Sequence, residues 1–111
     1  MDVEKIIELF RLAKSKDWKP WELQSELRKL CENVVSVGDD LSFTIKFERD
    51  LEVDETAIMK LKTRKTKIYP FKTAYRFNKG YIAVDDRFLR VSREIDEDKL
   101  PYILSCIKIK E

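Results

Sequence analysis

The spacing of hydrophobic residues changes at Val34, and this change constrains the fold more than any other feature of the sequence. Before Val34, apolar residues recur every three or four positions, as on one face of a helix. After it, Leu41, Phe43, Ile45 and Phe47 alternate with polar residues, as in a strand with one buried face. Helices followed by strands predict an α+β fold, with the helices packed on one face of an antiparallel sheet.

Residues 1–34 are expected to form a helical hairpin. The first helix covers residues 2–16, and its apolar side chains form a single stripe. Pro20 opens the second helix, because proline fits the first turn of a helix but not its interior. The two stripes consist of Val3, Ile6, Ile7, Phe10 and Ala13 in the first helix and Leu23, Leu27, Leu30, Cys31 and Val34 in the second.

Residues 35–93 are expected to form an antiparallel sheet of four or five strands. Turn signals separate the strands at residues 38–40, at residues 78–80 and at the pair Asp85-Asp86. Gly80 supplies the positive φ that a tight hairpin requires. Each turn joins neighbouring strands, which predicts antiparallel pairing.

The middle of the predicted sheet is less regular. Residues 49–55 are expected to be an acidic connection, and residues 57–64 a strand with alternating faces. In that strand Lys60, Lys62 and Arg64 share one face. Pro70 cannot sit inside a paired strand, so the segment around it is expected to be a loop or an irregular edge.

Residues 96–110 predict a C-terminal helix that completes a single domain of residues 1–111. Asp96 and Asp98 suit the N-terminal end of this helix, where the helix dipole is positive. Its apolar stripe consists of Leu100, Ile103, Leu104 and Ile107. These four side chains either close the core or let two copies of the chain associate as a homo-oligomer, and both alternatives stay open.

The composition argues against an enzyme. The sequence contains no histidine, which excludes histidine-based acid–base catalysis, histidine triads and histidine-ligated metals. The acidic pair Asp85-Asp86 lies at a turn and residues 94–98 lie at a helix start, so both already have structural roles. We expect no catalytic residue, no cofactor and no metal. Cys31 and Cys106 are expected to be buried thiols, although a disulfide between them stays open.

The composition also bears on habitat and location. Charged residues make up 40% of the chain and amides are scarce, as in hyperthermophile proteins, which favours a thermophilic archaeal or bacterial source. No apolar run approaches the ~18 residues of a membrane helix. The chain is therefore expected to be soluble and cytoplasmic, with no membrane partner.

Residues 56–84, here called the basic segment, contain eight lysines and arginines and no acidic residue. The whole chain carries a net charge of only +2, so positive charge is concentrated in this segment. Aromatic residues are interleaved with the cations in its second half. Cations that pair with phosphates, next to rings that stack on bases, are typical of proteins that bind single-stranded nucleic acid.

The basic segment therefore predicts a module that binds single-stranded DNA or RNA with little sequence preference. Tyr75, Phe77 and Tyr81 alternate with polar residues and are expected to be core, whereas Tyr69 and Phe71 flank Pro70 and are expected to stack on bases. The cations expected to contact phosphates are Lys60, Lys62, Arg64, Lys65, Lys67, Lys72 and Arg76.

The chain resembles one known family in its order of elements and in the basic, aromatic run KLKTRKTKIYPFKTAYRF. This is the ThermoDBP group, single-stranded DNA-binding proteins of hyperthermophilic archaea. The resemblance implies that a cleft between sheet and helices holds the strand. The chain departs from the group in its C-terminal helix, which is short and not zipper-like, so the resemblance does not extend to assembly through a zipper.

Two other functions fit the same sequence. The first is a protein–protein adaptor, in which the basic segment meets an acidic partner or a partner strand joins an edge of the sheet. The second is a small regulator that places residues 20–33 in the major groove of duplex DNA. This helix carries Arg28 and Lys29 but also three glutamates, a poor charge balance for a groove lined by phosphates.

Overall fold

The protein is described by a computed structural model of residues 1–111, and it has the predicted α+β fold. The helices are α1 (Val3–Lys14), α2 (Pro20–Leu30), α3 (Glu55–Met59) and α4 (Leu100–Ser105), the last preceded by a 3-10 turn, Glu97–Lys99. The strands are β1 (Val34–Val37), β2 (Phe43–Lys46), β3 (Leu51–Val53), β4 (Arg64–Thr66), β5 (Thr73–Arg76), β6 (Tyr81–Asp85), β7 (Phe88–Val91) and β8 (Ile107–Ile109). No helix combines the length and the hydropathy needed to cross a bilayer.

The two N-terminal helices begin where the sequence predicts. The Asp2 carboxylate accepts a hydrogen bond from the Lys5 backbone N–H at 3.0 Å and caps α1. Pro20 occupies the first turn of α2, where its missing N–H has no intrahelical acceptor. Buried residues at helical spacing attach both helices to the core: Ile6, Leu9, Phe10 and Ala13 from α1, and Leu23 and Leu27 from α2.

Six strands form one antiparallel sheet in the order β1-β2-β7-β6-β5-β4. The hairpin between β5 and β6 turns at Gly80, whose φ is +76°, and the hairpin between β6 and β7 turns at Asp86. Both turns are where the sequence predicts them. Strand β2 pairs with β1 on one side and with β7 on the other, and β7 lies more than forty residues later in the sequence.

Helices cover only one face of this sheet, here called the core face. The main hydrophobic core contains 24 buried residues, drawn from α1, α2, α3, α4 and the strands. The sheet contributes to it through one set of alternating positions: Val34, Phe43, Ile45, Tyr75, Ile82, Val84, Leu89 and Val91. Phe77 is also buried there, as predicted. The residues between these positions face the other way.

A second, two-stranded sheet corrects two expectations. Residues 49–55 are not only a connection, because Leu51–Val53 forms β3. The C-terminal helix does not reach residue 110, because α4 ends at Ser105 and residues 107–109 form β8. The two strands pair antiparallel, with Leu51 opposite Ile109. Alternating Ile107 and Ile109 fit a strand, and pairing with β3 provides hydrogen bonds that an isolated helix end lacks.

The expected strand over residues 57–64 is also wrong. Residues 55–59 form the short helix α3, which the Asp54 carboxylate caps by accepting from the Ala57 N–H at 3.1 Å. Only Arg64–Thr66 is a strand in this region. Ile58 is fully buried, although the strand interpretation placed it on the polar side. Capping and the burial of Ile58 outweigh the weak alternation that suggested a strand.

The four apolar residues of the C-terminal stripe are buried within the chain itself. Leu100 and Leu104 are 0% exposed, Ile103 is 1% and Ile107 is 3% exposed. Self-association through them stays a prediction, but they belong to the core of the single chain. Both cysteines are free thiols, Cys106 buried and Cys31 half-buried.

Gly80 permits the closest approach between the β5–β6 hairpin and the C-terminal region. A Cβ on Gly80 would lie 2.6 Å from the Ile95 backbone nitrogen and 2.8 Å from the Ile95 side chain. We expect Gly80→Ala to lower the free energy of unfolding by about 1–3 kcal/mol, because the left-handed backbone and the contact both disfavour a side chain. Thermal unfolding followed by circular dichroism measures this. Asn78→Ala in the same turn is the control, and an equal loss there would contradict the explanation.

Candidate nucleic-acid interface

A cleft of about 790 Å³ lies between the basic segment and the C-terminal region. Three stretches of chain line it: residues 60–64, residues 76–79 and residues 95–103. Gly80 follows the second stretch and touches Ile95 in the third, so the hairpin contact sets the spacing between these two walls. The lining residues are Lys60, Leu61, Lys62, Arg64, Arg76, Phe77, Asn78, Lys79, Ile95, Asp96, Lys99, Tyr102 and Ile103.

The cleft is strongly positive. Six lining residues are lysine or arginine, and Asp96 is the single carboxylate. Asp96 lies 3.8 Å from the Lys79 ammonium and 3.9 Å from the Lys99 ammonium, so it partly neutralises the wall formed by residues 95–103. The opposite wall has no such compensation, because the side chains of Lys60, Lys62, Arg64 and Arg76 take part in no ion pair.

Two of these cations are held directly opposite each other. Arg64 on β4 pairs in register with Arg76 on β5. Cross-strand partners have Cβ atoms about 4.5–5.5 Å apart, and like charges at that separation destabilise a sheet. Arg76 is partly accommodated by the Tyr81 ring, 5.6 Å from its guanidinium. An anion bound between the two guanidinium groups would convert this repulsion into attraction.

Lys62 is held in an unfavourable backbone conformation at the rim of the cleft. Its φ is +53°, in the left-handed region that costs a residue with a Cβ about 1–2 kcal/mol. The next residue, Thr63, has a buried hydroxyl with no hydrogen-bond partner. Glycine would be favoured at position 62 if stability alone mattered. The backbone conformation therefore costs energy at a position whose side chain lines the cleft.

The structure brings together four of the nine residues that the sequence predicts for the site: Lys60, Lys62, Arg64 and Arg76. The other five, which are Lys65, Lys67, Tyr69, Phe71 and Lys72, do not line the cleft. The expected common strand face of Lys60, Lys62 and Arg64 is replaced by a turn that follows α3 and leads into β4. The three cations still line one cleft.

Lys65 points to the core face and is engaged in an internal network. Its ammonium lies 3.0 Å from both carboxylate oxygens of Glu55. The Tyr75 hydroxyl donates to the same carboxylate at 3.3 Å. Burial, together with the nearby Glu55 charge, raises the pKa of Tyr75 to about 12. Lys65 therefore links β4 to α3.

Lys72 is also engaged elsewhere. It donates to the Asp86 carboxylate at 2.8 Å and lies 3.8 Å from Asp85. The hydrogen bond to Asp86 raises the pKa of Lys72, with a smaller contribution from the Asp86 charge. The acidic turn thus neutralises a cation that the sequence assigns to phosphate binding.

The aromatic residues are arranged differently from the prediction. Tyr69 is 95% exposed and Phe71 is half-buried, but both lie outside the cleft. Tyr102 is 67% exposed and lines the cleft, together with the buried Phe77. Sequence reasoning missed Tyr102, Lys79 and Lys99 as site residues. Tyr102 had a signal, because it interrupts the apolar stripe of α4 as a large ring on the exposed side.

No group of three or more cysteine and acidic side chains is placed to hold a metal ion. The chemistry available in the cleft is therefore that of fixed positive charges, one carboxylate, the Asn78 amide and an exposed phenol ring. These groups bind anions and stack on planar rings.

The position of Lys62 yields a direct test. Lys62→Gly should keep or raise the free energy of unfolding, by up to about 1 kcal/mol, because glycine tolerates positive φ. It should also weaken anion binding, because a cleft cation is lost. Lys60→Gly is the matched control: φ at Lys60 is −75°, so glycine there should lower stability while removing the same charge. Chemical denaturation checks both, and a Lys62→Gly variant less stable than the parent would argue against strain.

Comparison with known proteins finds a relative from the archaeon Archaeoglobus fulgidus, described as an uncharacterized protein. The two sequences are 54% identical over 102 residues, which is 92% of this chain and 93% of the relative. No family model matches the sequence, and no solved structure gives a significant match. The match to the relative includes nearly all of both chains, so the two share one fold throughout.

Proposed function

We propose that this chain, which belongs to the same family as the Archaeoglobus fulgidus protein, binds single-stranded DNA or RNA in the cleft without catalysing a reaction. The observation that carries the proposal is the opposed pair Arg64 and Arg76, which lines the cleft and has no carboxylate partner. No acid within the chain neutralises either arginine. A phosphate diester supplies the missing negative charge.

The two walls of the cleft would contact different parts of a nucleotide. Phosphates lie along the wall that carries Lys60, Lys62, Arg64 and Arg76, because those cations are unpaired. The opposite wall carries the Tyr102 ring, which is exposed and can stack on a base. A nucleotide that spans the cleft places its phosphate and its base against the wall that suits each.

An unpaired strand fits this arrangement better than a duplex. A base can reach the Tyr102 ring inside the cleft only if it is not paired with another base. Contacts to phosphates carry no sequence information, and every base has a face that stacks. Binding with little sequence preference follows from these two kinds of contact.

The salt dependence of binding tests the cation wall. Each phosphate contact to a single strand contributes about −0.7 to the slope of log K against log salt. Changing Lys60, Lys62 and Arg64 together to Gln should make that slope shallower by about 2. Fluorescence anisotropy with a labelled single-stranded DNA and a single-stranded RNA, at several salt concentrations, measures it.

The matched control removes three cations of the same segment that lie outside the cleft. Lys65, Lys67 and Lys72 changed to Gln produce the same change in net charge, and we expect the slope to stay close to that of the parent. If the salt slope becomes shallower in the control variant but not in the cleft variant, the site is elsewhere on the basic segment. If both variants bind as the parent does, the proposed function is wrong.

The stacking contact has a separate signature. Tyr102→Ala should weaken binding of single strands by about 1–3 kcal/mol at every salt concentration, with the slope unchanged, because no charge is lost. Tyr69→Ala is the control, since that ring is more exposed but lies outside the cleft. If Tyr69→Ala weakens binding more than Tyr102→Ala does, bases stack on the loop around Pro70 and not on Tyr102.

One observation favours a second function, the protein–protein adaptor. Strand β4 is at the edge of the sheet and pairs only with β5, so its outer edge is free to accept a partner strand. An acidic partner strand would suit Arg64 and Lys65. Such binding would require the β4 backbone, so Lys65→Pro should abolish it. The same variant loses the Lys65–Glu55 contact, so its affinity for single strands is measured as well, to check that Arg64 stays in the cleft.

The duplex-DNA regulator has less support. Lys29 of α2 forms an ion pair with Glu26 at 3.1 Å, which leaves Arg28 as the unpaired cation of α2. Equal or tighter binding of duplex than of single strands of the same length would favour this alternative over the cleft.

A further inference from the structure

The side of the sheet opposite the core face, here called the open face, also carries cations and aromatic rings. Register defines its members, because directly paired residues point to the same side. Arg64 pairs with Arg76, Arg76 with Tyr81, and Phe88 with Lys46. Arg90 pairs with both Ala83 and Thr44, which places it on the same side as Tyr81 and Phe88.

The open face has its own small apolar layer. Ala74, Tyr81 and Ala83 are buried but are not part of the main hydrophobic core. Phe88 is half-buried and likewise does not pack against that core. The buried side chains of α1, α2 and α4 all belong to the main core on the other side. The middle of the open face is therefore built from small residues, with larger polar and aromatic side chains around them.

No cation of this face is within ion-pair distance of a carboxylate, but Arg90 donates a hydrogen bond to the Ser42 hydroxyl at 2.7 Å and its charge helps to lower the pKa of Asp40. Lys46, Arg64, Arg76 and Arg90 come from four different strands, and none takes part in an ion pair. Two of them lie over rings. The Lys46 ammonium is 5.9 Å from the Phe88 ring centroid, and the Arg76 guanidinium is 5.6 Å from that of Tyr81.

Two carboxylates lie close to this face: Asp40 accepts hydrogen bonds, whereas the buried Oδ1 of Asp85 accepts none. Asp85 pairs in register with Phe88 and lies 3.8 Å from Lys72. Asp40 accepts a hydrogen bond from the Tyr81 hydroxyl at 2.8 Å and from the Ser42 hydroxyl. Burial alone would raise the pKa of Asp40, but the hydrogen bonds from Ser42 and Tyr81 outweigh it and lower that pKa. Asp40 is thus committed to fixing Tyr81.

We infer that a bound single strand does not end in the cleft but continues across the open face towards Lys46 and Phe88. The inference rests on the proposed function and deepens it. Arg64 and Arg76 belong to both surfaces, so the cleft and the open face are continuous. The charge of a phosphate backbone complements the unpaired cations along this path.

The dimensions set the length of strand involved. From β4 to β2 the open face crosses four interstrand spacings, about 19 Å. That is the length of about five nucleotides at the ~3.4 Å spacing of stacked bases. Arg90 and Lys46 would contact phosphates along it, and the Phe88 ring would stack on a base at its far end. A short oligonucleotide would fill the cleft alone, whereas a longer one would engage both surfaces.

The test compares two lengths of DNA. The double variant Lys46→Gln and Phe88→Leu leaves every cleft residue intact. It should bind a 12-nucleotide strand at least about fivefold more weakly than the parent, the loss expected for one stacked base. The salt slope for the 12-mer should also be shallower by about 0.7. Affinity for a 4-nucleotide strand should not change.

Two further variants keep the outcome interpretable. Lys46→Gln alone alters an exposed side chain, so it is not expected to disturb folding as Phe88→Leu could. This single variant should show the same decrease of about 0.7 in the steepness of the salt slope for the 12-mer. Lys108→Gln removes an exposed cation from β8, away from both surfaces, and should leave binding at both lengths unchanged.

The outcomes separate this inference from the proposed function. If the parent binds both lengths and the double variant matches it at both, the open face is not used, while the cleft proposal stands. If the double variant loses affinity equally at both lengths, continuation of the strand is also refuted. If the parent binds neither strand, the proposed function itself fails.

Discussion

Burial of one face of a six-stranded sheet is the constraint on which the rest of the structure depends. Side chains alternate between the faces of a strand, so each apolar residue that enters the core fixes the outward position of its neighbours. Tyr75 and Ile82 are buried beneath the helices, and Arg76 and Tyr81 beside them must point away. A slip of one residue would bury the arginine. Burial of the core face therefore fixes which side of the sheet these cations occupy, and their contacts with Phe88, Tyr81 and Ser42 add to this.

The parts of the fold that could be predicted from sequence are those set by local signals. Pro20 begins α2, and Gly80 turns the hairpin between β5 and β6, because both residues restrict the backbone directly. The strand expected over residues 57–64 is wrong because the alternation in so short a run does not distinguish a period of two from a period of 3.6. The Asp54 cap was the available signal for a helix there. The pairing of β3 with β8 joins segments more than fifty residues apart, and no local pattern specifies it.

The candidate site could be predicted only in part, for a similar reason. Lys60, Lys62 and Arg64 are close in sequence, so their common location survived a wrong assignment of secondary structure. Whether a cation is free depends on distant acids. The sequence gives no indication that Lys65 meets Glu55, and Lys72 meets an acidic turn that sequence reasoning had treated only as a turn. Tyr102 reaches the cleft because the C-terminal region packs against the β5–β6 hairpin.

The unpaired outer edge of β4 has a consequence for how the protein behaves at high concentration. A free strand edge is a template on which another copy can add, and proteins discourage this with short, charged edge strands. Strand β4 is three residues long and carries Arg64, whose unpaired charge repels a second copy of the same strand. Under the proposed function, Arg64 would both contact a phosphate and keep the chains apart. Colloidal stability and binding would then depend on the same position. Neutralising Arg64 would weaken the proposed site and also remove a charge that opposes association of two β4 edges.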